Sequence, residues 1–290
     1  MPESIVAASA APSAPSFEPP GAAARVSRVF SDGWAVLLRD LSRLRHAPAL
    51  AFLGVAAPAG FLLIFAYLFG GAVSLTGSGV SRQAYREYLV PGIFATTVIN
   101  GMVTTAGTAA EDSLRGITDR IRSLPAARSA LLFGRTGTDL LLAVFSLAVM
   151  AGCGYAVGWR ADRGAAQTLS AFGLLLLFSY AVGWAGTWMG LAVGSREAMQ
   201  LLGPVLFGLP FYSAAFVPTA GMPTVLRAIA EWNPVSALVV ACRRDFGDPG
   251  GTVPGGAWPL QHPTLAAVGY ALIILLIAVP AAVRRMYRGR

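Results

Sequence analysis

The sequence predicts an all-α integral membrane protein with six transmembrane helices, and two observations carry that expectation. The 290 residues are 55% hydrophobic and only 12% charged, with a mean hydropathy of +0.62, far from the balance of an ordinary soluble domain. The apolar residues also gather in runs of roughly 20, the length a helix needs to cross a hydrocarbon core of about 30 Å.

Residues 1–24 are rich in Ala, Pro and Ser and carry no basic residue. They read as a disordered cytosolic tail, because a cleaved leader would begin with a positive stretch. Over residues 25–46, apolar side chains including Phe30, Trp34, Leu37 and Leu41 repeat at helical spacing with Arg28, Arg39 and Arg43 between them. A basic amphipathic helix of this kind lies at a membrane surface.

The membrane domain spans 50–283, followed by a basic C-terminus, 284–290. Its expected spans are Leu50 to Phe69, Leu89 to Ala110, Gly137 to Trp159, Leu169 to Val193, Met199 to Val217 and Thr264 to Val283. Asp139 is expected in the first turn of the third span, within reach of headgroups. Gly203, Pro204, Gly208 and Pro210 make the fifth span the least regular, since proline removes a backbone donor and invites a kink. The stretch from Met222 to Asp245 is too broken by charge and by Pro234 for a span. A break marked by Glu231, Asn233 and Pro234 suggests instead two short helices that dip into the outer leaflet and return, shielded by protein.

Patterns within the spans suggest which faces meet. Gly186, Gly190 and Gly194 recur every four residues, the spacing that lets two helix backbones approach closely. Tyr180, Trp184 and Trp188 occupy a different face, read as lipid contact by default and as contact with an amphipathic substrate in the alternative. Thr97, Asn100, Thr104 and Thr108 form a polar stripe on the second span, expected to face other helices or a wet cavity.

Several function classes are excluded. All 22 basic residues are Arg, so neither a Walker A lysine nor a pyridoxal Schiff-base lysine is available. His46 and His262 lie at opposite ends of the chain with no metal-ligand spacing, and Cys153 and Cys242 form no CxxC pair. No catalytic constellation is found, and no carboxylate is expected at the middle of a span, where a proton- or sodium-coupled carrier would keep one. The charge of +8 is scattered between apolar runs rather than gathered on one surface, which argues against nucleic acid. With both termini and the even-numbered loops inside, 15 Arg fall on the inner side and 7 on the outer. The positive-inside rule therefore puts both termini in the cytoplasm.

One charged segment interrupts the apolar chain: "EDSLRGITDRIRSLPAARSALLFGR", residues 111–135. Leu114, Ile117, Ile121 and Leu124 share one helical face, opposite Arg115, Asp119 and Arg122. Glu111 pairs with Arg115 and Asp119 with Arg122 at helical spacing, and Pro125 ends the helix. With Arg120 added, the charge forbids a spanning placement. From periodicity alone it is either a surface connector or a docking element.

This segment resembles the loop between the second and third spans of ABC-2 type permeases of the daunorubicin-resistance kind, where a glutamate-led amphipathic helix precedes R-x-L-P-x-x-R. "FAYLFGGAV", "YREYLVPGIFATT" and "SAAFVPTAGMPTVLRAIAEWNPVSALVVACR" agree in the same order. The resemblance implies a type V exporter-like fold with a coupling helix, Glu111 to Leu124, seated in a groove of a separate nucleotide-binding ATPase subunit. That partner would hold ATP and Mg, and this chain no cofactor or metal. It also implies a homodimer or pairing with a related permease, re-entrant helices on the outer face, and export of a drug-like or amphipathic natural product across a bacterial plasma membrane. Glycan and lipid exporters share the architecture, and a secondary carrier or a membrane scaffold are the rivals from other classes.

Overall fold

The computed structural model describes residue 56 and residues 58–69, 81–116, 128–193 and 195–288. The tail, the amphipathic helix with Phe30, Trp34, Leu37 and Leu41, and residues 117–127 lie outside them. Among the described residues the regular elements are all helical. They are α1 (Pro58–Tyr67), α2 (Arg82–Leu114), α3 (Arg128–Val157), α4 (Ala165–Ala192), α5 (Arg196–Gly208), α6 (Thr224–Trp232), α7 (Pro234–Phe246), α8 (Trp258–Gln261) and α9 (Pro263–Arg288). α1 runs into a π-helical turn, Phe65–Phe69.

Helices α2, α3, α4 and α9 are each long and apolar enough to cross a membrane. Their ends overrun the apolar stretches read from sequence, because a helix persists through charged residues until its backbone is told to stop. α2 starts at Ser81, whose hydroxyl accepts from Ala84 N at 3.1 Å, and it continues for 33 residues, roughly 50 Å at 1.5 Å per residue. The charge-free part between Glu87 and Glu111 is about 35 Å long, so both charged ends reach beyond the hydrocarbon.

Two expectations are corrected here. α3 begins at Arg128, so Asp139 lies about three turns along it, not in the first turn. The expected fifth span is not one continuous helix. α5 has 13 residues, about 20 Å, and gives way at Gly208 to a 3₁₀ turn, Leu209–Tyr212, with Pro210 inside it. Pro204 and Pro210 each remove a backbone donor, and Gly203 and Gly208 loosen the backbone.

α4 is the central helix, lying against α2, α3, α7 and α9. Its contact with α2 is backbone to backbone. A methyl carbon placed on Gly186 would stand 2.6 Å from Met102 O, and one on Gly190 would overlap Ala106 O and stand 2.7 Å from Ala109 Cβ. The small-residue spacing therefore serves packing at both positions; Gly194 lies outside the described residues. At one end of the bundle, Phe94, Trp159, Phe172 and Phe246 pack edge to face or tilted, with centroids 5.0 to 6.1 Å apart. They tie α2, the α3–α4 loop, α4 and α7 into one core.

Candidate functional site

The two ends of the bundle are built differently. At the first, α6 and α7 are bent by 72° at a break between Trp232 and Pro234. Asn233 is extended there (φ −69°, ψ 126°), as a residue before proline prefers. Its Oδ1 accepts from Val235 N at 2.9 Å and caps α7, with Pro234 at the first helical position. Its Nδ2 donates to Leu209 O at 3.1 Å and Tyr212 O at 2.9 Å. Glu231 Oε2 accepts from Ala257 N at 3.0 Å, fastening α6 to the segment before α8.

These contacts belong to a larger arrangement. Asn233, Ser236, Val240 and Arg243 follow one another at spacings of three, four and three, one stripe of α7. Ser236 Oγ accepts from Ala214 N at 2.8 Å, and Val240 packs with Ala214 and Leu260. Arg243, only 1% exposed, donates from Nη1 to Ala214 O and from Nη2 to Ala215 O, both at 2.8 Å, and from Nε to Tyr88 O at 2.9 Å. The Tyr88 ring lies 3.5 Å from the guanidinium carbon, and Tyr88 OH also donates to Ala214 O at 3.2 Å. The irregular backbone of 209–215 would leave polar groups unpaired inside a membrane; one face of α7 satisfies them. Sequence reading singled out Asn233 and Pro234 but missed Ser236, Arg243 and Tyr88, although Asn233, Ser236 and Arg243, polar residues three and seven apart in an apolar run, were available as a signal for the α7 face.

α7 ends at Gly247, whose left-handed φ of 90° turns the chain back. That turn brings Asp248 under Trp159, where its Oδ2 accepts from the indole Nε1 at 3.0 Å. Burial raises the Asp248 carboxyl from an ordinary 3.8 to about 7; Glu87 and Asp162 push it the same way, and the Trp159 hydrogen bond and Arg243 oppose them. Neither Trp159 nor Asp248 was singled out from sequence.

At the opposite end, Glu111 and Leu114 belong to the last turn of α2 rather than to a separate helix. Arg115 N reaches Glu111 O at 2.9 Å, and Gly116 takes a left-handed φ of 72°, which ends a helix at low cost. α2 thus ends at Gly116, within the stretch expected as one helix from Glu111 to Leu124, a terminator overlooked in the pattern of apolar positions. Ile117, Asp119, Arg120, Ile121, Arg122, Leu124 and Pro125 lie outside the described residues. The Glu111–Arg115 pair forms at 2.8 Å, exposed on both sides. Asp112 pairs with Arg135 at 2.7 Å, and Asp139 Oδ2 accepts from Thr105 Oγ1 at 2.9 Å. Both bind α2 to α3.

The polar stripe differs from expectation in its partners. The hydroxyls of Thr97, Thr104 and Thr108 donate to the carbonyls of Ile93, Asn100 and Thr104 in their own helix. Thr97 is buried, Asn100 half-buried, and Thr104 and Thr108 stand exposed on the surface of the chain. The aromatic stripe is likewise divided. Trp188 is exposed and Tyr180 half-buried, but Trp184 is fully buried beside Phe133, with Leu132, Ala278, Ala282 and Met286. Trp184 therefore does not face lipid, and its Nε1 has no hydrogen-bond partner among the described residues.

A model of the ABC-2 type transporter family matches residues 32–244. The daunorubicin resistance ABC transporter permease protein DrrB1 of Streptomyces coeruleorubidus is 32% identical over 227 residues, which are 78% of this chain and 77% of that protein. The doxorubicin resistance ABC transporter permease protein DrrB of Mycobacterium tuberculosis, in two strains, is 28% identical over 218 residues, 75% of each chain. With apolar helices long enough to span a bilayer and a match over most of its length, this chain belongs to the ABC-2 type transporter family.

Proposed function

We propose that this chain is the permease subunit of an ATP-driven exporter that moves a drug-like, amphipathic natural product out of a bacterial cell. The observation that carries the reading is the difference between the two ends of a membrane bundle: one covered by the bent α6–α7 pair, the other presenting paired charges at the α2–α3 junction. The Arg distribution supports the first end as outer and the second as cytoplasmic. Residues 209–262 then form the outer closure, with α6 and α7 as re-entrant helices. The segment from Glu111 to Pro125 docks in a nucleotide-binding subunit, which holds ATP and Mg. The drug-like cargo is supported by what the relatives' names say of those proteins.

Two copies, or this chain with a related permease, make the complete pathway. The half-buried Asn100 and the exposed Thr104 and Thr108 line it between them, since a polar face left against lipid tails is unfavourable. Asp139 is the one observation that favours an ATPase-independent carrier, because an ionisable group inside a span is usually functional. Its engagement with Thr105 supports a structural role instead.

The test is co-purification in nanodiscs with the nucleotide-binding subunit of the same organism. Replacing Leu114, Ile117 and Ile121 with Ser should leave membrane insertion intact and weaken the complex at least tenfold. No complex with either form, the ATPase being folded, or transport without any ATPase, would refute the reading.

A further inference from the structure

We infer that Arg243 is the positioning residue of the outer closure: its planar fork holds the 213–215 turn down on α2, and export requires that hold to be released. The inference rests on the reading of residues 209–262 as an outer closure.

Three features single this arginine out. It is 1% exposed, yet among the described residues no carboxylate pairs with it; carbonyl oxygens and an aromatic ring surround it instead. Its three acceptors come from two other elements, Tyr88 on α2 and the adjacent Ala214 and Ala215 on the turn. Both elements also meet directly, since a methyl carbon on Gly92 would stand 2.9 Å from the Ala215 carbonyl carbon. A buried ion pair would be held by charge at almost any angle. Here the cation is satisfied only while three carbonyls keep their places, and the guanidinium serves them from three separate nitrogens of one planar fork, an arrangement the single nitrogen of an ammonium does not reproduce. The turn that supplies two of them is joined through the 3₁₀ turn Leu209–Tyr212 to α5, the short helix loosened by Pro204 and Gly208. Displacement of α5 would withdraw two acceptors at once, leaving Arg243 with Tyr88 alone.

Cys242, next to Arg243, reports on this. It is fully buried, with Sγ 3.9 Å from Ala171 O, and Cys153 is the only other thiol. In a Cys153→Ser background, an impermeant maleimide is applied to whole cells carrying the permease with its ATPase, and the labelling rate is read on protein that co-purifies with the ATPase. The wild type should label slowly at rest and faster during turnover. Arg243→Lys should keep the complex, label at least tenfold faster at rest, and export less; Arg244→Lys, the same change at the exposed neighbour, should behave as wild type. A merely structural arginine would lower the yield without altering protection in the assembled fraction.

Assembled Arg243→Lys with wild-type protection and export overturns the inference. Should that variant fail to assemble, Gly92→Ala decides, because it displaces the acceptor at Ala215 and leaves the donor intact: labelling at least tenfold faster supports the inference, and the wild-type rate overturns it. Wild-type Cys242 that labels only from the cytoplasmic face overturns the outer placement itself, and the inference with it.

Discussion

Gly190→Ala should destabilise the bundle although it replaces the weakest helix former but proline with the strongest. In a bilayer there is no hydrophobic gain from bringing two helices together, so α2 and α4 hold through close packing. The methyl added at Gly190 would fall on Ala106 O and Ala109 Cβ, and the equivalent at Gly186 would stand 2.6 Å from Met102 O, where comfortable contact needs about 3.5 Å. The helices must part by roughly 1 Å, and overpacking of that kind costs about 1 to 3 kcal/mol. Against it stands the helix propensity of Ala over Gly, about 1 kcal/mol.

Gly183→Ala isolates the second effect. The same helix carries it, and nothing lies within 4 Å of the added carbon, so it should be neutral or stabilising by up to about 1 kcal/mol. Unfolding followed by tryptophan fluorescence in lipid–detergent micelles, with SDS as denaturant, would rank the variants. The expected order is Gly183→Ala, wild type, Gly190→Ala, with roughly 1 to 3 kcal/mol between the extremes. Equal midpoints for the two alanine variants would refute the close-contact argument, as propensity alone would then govern both sites.

Two further outcomes follow from the α7 end of the bundle and from its tryptophans. Asp248 has a folded pKa near 7 against an ordinary 3.8, so its contribution to stability is fully present below about pH 4 and is lost as pH rises through 7. The loss is on the order of 4 kcal/mol at most. The difference in unfolding midpoint between wild type and Asp248→Asn, which keeps an acceptor for Trp159, should change across that window and be flat above pH 8; a constant difference would refute it. Trp184→Phe removes a buried N–H that has no partner among the described residues and should be close to neutral, whereas Trp159→Phe loses the bond to Asp248 and should cost about 1 to 3 kcal/mol. The same unfolding assay compares them, and equal costs would refute the distinction.

The long helices were legible because hydrocarbon demands long apolar runs, and their exact ends were not, because charge does not stop a helix. Gly116 stops α2 through backbone conformation, a signal hidden inside a convincing amphipathic pattern. The break at Asn233 and Pro234 was legible for the opposite reason: proline dictates the backbone of its neighbour. Glycine spacing foretold a close backbone approach on α4, since only the absence of a side chain allows it, but not that α2 is the partner. The aromatic stripe misled because Trp184 finds its neighbours across α3 and α9, and no local pattern shows that. Arg243 was visible as a charge in an apolar run, but its acceptors are carbonyls, which every residue carries and no sequence distinguishes.

The position of α2 gives the proposed coupling between the two ends a physical route. Its last turn carries the Glu111–Arg115 and Asp112 pairs, and its second turn carries Tyr88, whose carbonyl and ring hold Arg243. Between them it is a single helix, braced against α4 at Met102, Ala106, Ala109 and Ala110. The interruption is Pro91, which cannot donate to the carbonyl of Glu87 and stands one residue from the Gly92 contact with the turn. A displacement at the charged end would therefore pass along a stiff, braced segment and meet its first weak joint beside the turn that Arg243 clasps. Loosening at Gly190 acts on the brace and loosening at Arg243 on the clasp, which makes them separable perturbations of one mechanical path.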